Sequence, residues 1–161
     1  MKTHFLFPNQ LKKFGWILFI PCFIITILQS IFEWNIDEYF NTTVFAIYND
    51  EFNFQNTSHF FQFIENSILD EILSLGLIIG GLLVGFSKLK NEDEYIAQIR
   101  YESLVWATYL NYGLILFFTL FIYGLSFINV LMYNLFTLLV FFIIRFHFMI
   151  YKLNKASNDE E

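Results

Sequence analysis

Four apolar runs, at about 14–32, 68–86, 104–127 and 129–150, take up most of this chain. A helix needs about 20 residues to cross the hydrocarbon core of a bilayer. The first, third and fourth runs reach that length directly. The second is uninterrupted only from Ile72 to Phe86, about 22 Å as a helix, so a crossing there must recruit residues before Ile72. Composition agrees with a membrane setting: 57% of the 161 residues are hydrophobic, 23 are Phe and 15% are charged, against roughly 25% charged in a soluble domain. The expected fold is an all-α polytopic membrane protein. One domain, 1–155, would hold helices at about 14–32, 60–86, 92–127 and 129–151, with an outer loop at 33–59 and a disordered tail at 156–161.

The nine Lys and Arg residues set the orientation. Lys2, Lys12 and Lys13 precede the first run; Lys88, Lys90 and Arg100 lie between the second and third; Arg145, Lys152 and Lys155 lie at or beyond the end of the fourth. None falls in 33–71, which carries eight carboxylates. Basic residues stay on the cytoplasmic side, so both termini are expected in the cytoplasm. A cleaved signal peptide competes for the N-terminus. No small-residue cleavage site follows the run, which exits through Gln29, Ser30, Ile31, Phe32, Glu33 and Trp34. A retained first helix is therefore expected, started near Pro8 and kinked by Pro21. Trp16, Trp34 and Trp106 suit the interfacial aromatic belt. A lone cysteine, Cys22, excludes an intrachain disulfide and reads as a small buried hydrophobe.

In the outer loop, TTVFAIYNDEFNF alternates apolar and polar residues around Asn49-Asp50 and predicts a small β-hairpin. Asn41-Thr42-Thr43 and Asn56-Thr57-Ser58 match the glycosylation pattern, which is common by chance. HFFQFIENSILDEIL, from His59, reads as an amphipathic start to the second helix.

Three polar features interrupt the apolar pattern. On the second helix, Ser67, Glu71, Ser74, Ile78, Gly81 and Gly85 share one face, and Gly76/Gly80 and Gly81/Gly85 are two small-xxx-small pairs. That face packs either inside the bundle or in a homodimer. Glu71 is either solvated at the headgroups or turned inward as a proton or cation site, since a bare buried charge costs too much. Asn111 and Arg145 are expected at one depth. Arg145 either snorkels to water or pairs with Asn111 and a carboxylate of 87–103.

The third feature is SKLKNEDEYIAQIRYES, residues 87–103, with three basic and four acidic residues. Asn91 and Glu94 form a capping-box-like signal, with Glu92 and Asp93 in a dipole-favoured first turn. The stretch is either a solvated, topology-setting turn or a docking surface built on Glu92, Asp93, Glu94, Arg100 and Glu102. Alternating signs favour recognition over plain attraction to anionic lipid. His4, His59 and His147 do not converge, so no metal or cofactor is expected. No phosphate loop, nucleophile motif or acid–base pair is visible, and the acidic outer side argues against nucleic acid.

GWILFIP, VFAIYND, the block GGLLVGFSKLKNEDEYIAQIRYESLVWATYLNYG and FFIIRFHF together resemble a family of small uncharacterised membrane proteins of Bacteroidota. The resemblance covers most of the chain and is most specific over FSKLKNEDEYIAQIR. It implies a bacterial inner membrane and a periplasmic outer loop without glycans. It brings no activity, cofactor or catalytic residue. The functional expectation is a non-catalytic scaffold, assembly or signal-coupling subunit in the bilayer, with a protein partner or a second copy. The alternative is a small oligomeric transporter or channel using Glu71 and the glycine face.

Overall fold

The computed structural model describes residues 5–32, 40–50, 58–90 and 92–159. Their order is α1 (Asn9–Phe32), β1 (Asn41–Asp50), β2 (Ser58–Ser67), α2 (Leu69–Gly85), α3 (Glu94–Phe121) and α4 (Leu125–Asp159). Three of the helices, α1, α3 and α4, are long and apolar enough to cross a membrane. The chain divides into two compact units, one joining Met1–Pro21 to Gly76–Glu161 and the other formed by Cys22–Leu75.

In the first unit α2 is held between α1 and α4 by absent side chains. A Cβ on Gly15 would meet the Val84 nitrogen at 2.9 Å, and one on Gly80 would meet the Phe19 nitrogen at 2.8 Å. Two backbones therefore touch where α1 crosses α2, as small residues allow in lipid. On the α4 side, Gly81 faces Leu139, and Gly85 faces Phe142 at 2.6 Å from a notional Cβ. Phe142 and Phe146 stack with ring centroids 6.0 Å apart and, with Leu77, Val84, Ile99 and Ala107, form a fully packed centre. Gly76, Gly80, Gly81 and Gly85 are all buried. Outward residues are apolar too: Leu116, Leu120, Leu135 and Ile144 are each more than half exposed. Helices apolar on all sides belong in lipid.

The second unit contains the hairpin, and here the structure departs from expectation. β1 and β2 pair antiparallel from Asn41↔Ser67 to Asp50↔Ser58. Residues 60–67, expected to open the second helix, are instead its second strand. Cross-strand pairing decides this: Phe45 packs on Phe63 at 5.4 Å and Tyr48 on Phe60 at 5.1 Å, contacts that a local reading of residues 59–68 does not contain. Phe61 interrupts the ladder with φ +56°, an uncommon left-handed backbone for a large side chain. Residues 51–57, and with them Asn56, lie outside the described residues. α2 consequently starts at Leu69 and has 17 residues, about 26 Å, short of a hydrocarbon core of about 30 Å.

Two further boundaries move. The third helix was expected to run to residue 127; it ends at Phe121, and Ile122 donates its N–H to the Phe118 carbonyl at 2.8 Å. Gly124 then adopts φ +73°, a conformation only glycine takes without strain, so the reversal occurs at 122–124. α4 continues through the expected tail to Asp159. No Gly or Pro interrupts it, and each added residue contributes one backbone hydrogen bond.

Candidate functional site

The expected docking stretch folds into a clamp. α3 begins where Asp93, in extended conformation, caps it: the Ile96 N–H donates to Asp93 Oδ1 at 2.8 Å. Asp93 thus takes the capping role expected of Asn91, which lies outside the described residues. The Asp93 carboxylate reaches the third residue beyond it, the geometry of an N-cap. Glu92, just before the cap, turns back. Its Oε2 accepts the Leu89 N–H at 2.8 Å, and its Oε1 accepts Arg100 Nη1 at 2.5 Å. Arg100 Nη2 also donates to the Ser87 carbonyl at 3.3 Å.

Arg100 is 6% exposed. Its guanidinium lies over the Phe146 ring, 4.9 Å from the centroid. α4 therefore forms the apolar wall of the clamp, and Glu92 its counter-charge. Such a desolvated pair holds only with good geometry and extra hydrogen bonds, and both are present. The N-terminal lead-in is pinned to the same turn. Phe7 N–H donates to the Phe86 carbonyl and Lys88 N–H to the Phe7 carbonyl, both at 2.9 Å. Lys12 on α1 lies within electrostatic reach of Glu92 and Arg100. Three segments, the turn, α3 and α4, thus meet at one side-chain pair, and the lead-in is bonded to the same turn. Ser103, one turn further along α3, is wholly buried, and among the described residues neither its Oγ nor Arg100 Nε has a hydrogen-bond partner.

The five docking candidates separate accordingly. Glu92 and Arg100 face inward and hold each other. Asp93 caps the helix while staying exposed. Glu94 is exposed, as is Glu102, which accepts Gln98 Nε2 at 2.8 Å. Lys88 and Lys90 are exposed on the turn.

The intramembrane candidates also change partners. Asn111 is 5% exposed and does not meet Arg145. It forms a reciprocal amide pair with Asn134 of α4, at 3.2 and 3.4 Å. With the reversal at 122–124, ten residues separate Asn111 from the end of α3, about 15 Å, which is mid-depth in a bilayer. Arg145 instead lays its guanidinium over Trp106 at 4.8 Å, in a groove completed by Phe141, Ile144, Phe148 and Met149. In the second unit, Glu71 is exposed and accepts Asn66 Nδ2 at 3.0 Å. It sits in the first turn of α2 beside Asp70, where the helix dipole favours a carboxylate. Glu71 thus stands exposed at the start of α2 in this structure.

Sequence reasoning did not single out Phe146, and it did not pair Ser87 with Arg100 or Asn134 with Asn111. The Glu92–Arg100 contact spans eight residues and begins outside the helix, so no helical spacing rule identifies it. Phe146 had a faint signal in its place between Arg145 and His147. His147 Nδ1 lies 2.9 Å from the Ile143 carbonyl, and its ring packs edge-on against Trp16 at 5.2 Å. Among the described residues no three His, Cys, Asp or Glu side chains gather as a metal site. Comparisons with protein-family models, curated proteins and solved structures find no match for the chain.

Proposed function

We propose that the chain is a four-span inner-membrane protein, with both termini in the cytoplasm, that serves as a non-catalytic scaffold, assembly or signal-coupling subunit. The observation that carries this reading is the Glu92–Arg100 clamp. It ties the α2–α3 turn to α4 and the N-terminal lead-in, and leaves Lys88, Lys90, Asp93, Glu94 and Glu102 exposed around it. A rigid turn with charges of both signs suits specific recognition, because little ordering entropy remains to be lost on binding.

The fourth crossing is supported by the glycine contacts that seat α2 between two apolar spans, and by its outward stripe of Ile72, Leu75, Ile79 and Leu82, each at least 40% exposed. Crossing at α2 keeps all nine basic residues on one side. The inner-membrane assignment rests on the resemblance to the Bacteroidota proteins. The transporter alternative has less behind it. Its glycine face is filled by Phe19, Leu139 and Phe142, and its carboxylate is bonded to Asn66 on an exposed surface.

The test is capture of the tagged full chain from native membranes in a gentle detergent, with stoichiometry by mass spectrometry. A stoichiometric partner that is lost from the double variant Asp93→Asn, Glu102→Gln supports the reading. Flux through liposomes containing only this protein, with no partner recovered, defeats it.

A further inference from the structure

A second basic feature lies on the outside of the first unit. A groove of about 580 Å³ is lined by Asn9, Gln10, Lys13, Phe14 and Ile17 of α1 and by Lys90 of the α2–α3 turn. Gln10, Lys13 and Ile17 follow one another by three and four residues, so they stand on one face of α1. The groove is polar at the helix start and apolar one turn later. Phe14 is 66% exposed and Ile17 is 71% exposed, which is the exposure of residues that face acyl chains. Among the described residues no carboxylate lines the groove, and neither Lys13 nor Lys90 makes an ion pair. The neighbouring Glu92 is engaged by Arg100.

Two unpaired ammonium groups, two amides and an apolar floor in one groove match a single ligand chemistry: a phosphate ester carrying a hydrocarbon chain. We propose that this groove is a binding site for an anionic phospholipid. The phosphate lies between Lys13 and Lys90, with Asn9 and Gln10 donating to the headgroup and one acyl chain running along Phe14 and Ile17. The Lys90 contact makes the lipid a bridge between α1 and the turn that carries the clamp. The site rests on the membrane reading of α1. It does not depend on the partner reading, so loss of lipid binding and loss of partner capture are separate results.

Native mass spectrometry of the full chain in detergent, titrated with phosphatidylglycerol and with phosphatidylcholine, tests the proposal. The wild type is expected to retain phosphatidylglycerol preferentially. The double variant Lys13→Gln, Lys90→Gln should weaken that retention about tenfold or more, since each lysine near a charged headgroup counts substantially. Lys13→Arg with Lys90→Arg should keep it. Lys152→Gln with Lys155→Gln removes equal charge from the end of α4 and should leave it unchanged. Lys90→Gln alone carries the test if the double variant does not fold, because that side chain is exposed on a turn. Equal retention by wild type and the groove variants overturns the proposal. So does an equal loss from the Lys152/Lys155 variant, which would mean diffuse attraction. Inorganic phosphate binding as tightly as the lipid would overturn the lipid assignment, since the apolar floor would then contribute nothing.

Discussion

Arg100, buried, and Glu92, half-buried, form a charge pair that joins the α2–α3 turn to α3. Truncating one partner of such a pair leaves the other charged and desolvated. Arg100→Leu should therefore lower stability by about 3 kcal/mol, read as a lower melting temperature in detergent. The double variant Arg100→Leu, Glu92→Leu should recover most of that loss, because both charges then leave together. If the double variant is no better than the single one, the pair is not what holds the turn. Asn111 calls for a similar cycle. Asn111→Leu should cost on the order of 1 kcal/mol, and combining it with Asn134→Leu should cost less than the sum. Additive losses would show that the two amides act independently. These residues were conspicuous in the sequence as polar groups in apolar surroundings. Their partners were not, because each contact joins positions outside any helical repeat.

Between elements, the decisive contacts are made by missing atoms. Gly80→Ala would place a Cβ 2.8 Å from the Phe19 backbone nitrogen, and backbone cannot move aside as a flexible side chain can. We expect a loss of about 2 kcal/mol or more from such overpacking. Gly113→Ala is the matched control: nothing lies within 4 Å of its notional Cβ, so alanine in mid-helix should raise stability by about 0.5–1 kcal/mol. Thermal melts of the two variants side by side check both signs. The small-residue spacing on α2 was visible in the sequence, since GxxxG carries its own geometric meaning. The choice between internal packing and dimerisation was not, because it depends on which helices arrive at that face. The hairpin was half legible. Alternation marked β1, but Asn49-Asp50, expected at the centre of the hairpin, are paired within the strands to His59 and Ser58, and β2 also contains a helix-compatible pattern. Only its partner strand resolves the ambiguity, through the Phe45–Phe63 and Tyr48–Phe60 pairs.

For the whole molecule, topology is the most direct test. Reporters fused at either terminus should read cytoplasmic, and a reporter inserted within 51–57 should read periplasmic. Opposite locations for the two termini would show that α2 does not cross and that three spans suffice. The apolar runs by themselves marked a mostly helical chain with helices apolar enough to cross a membrane, since hydrocarbon favours segments that satisfy their own backbone. They also marked the charged stretch at 87–103 as exceptional. Only the tertiary structure decided what that stretch does. A salt bridge needs its two ends in one place, and the fold brings Glu92, Arg100, the Ser87 carbonyl and Phe146 together from three segments of the chain. The start of α2 was decided the same way, by a partner strand, whereas the ends of α3 and α4 trace to sequence features, Gly124 and a run at 125–159 without Gly or Pro.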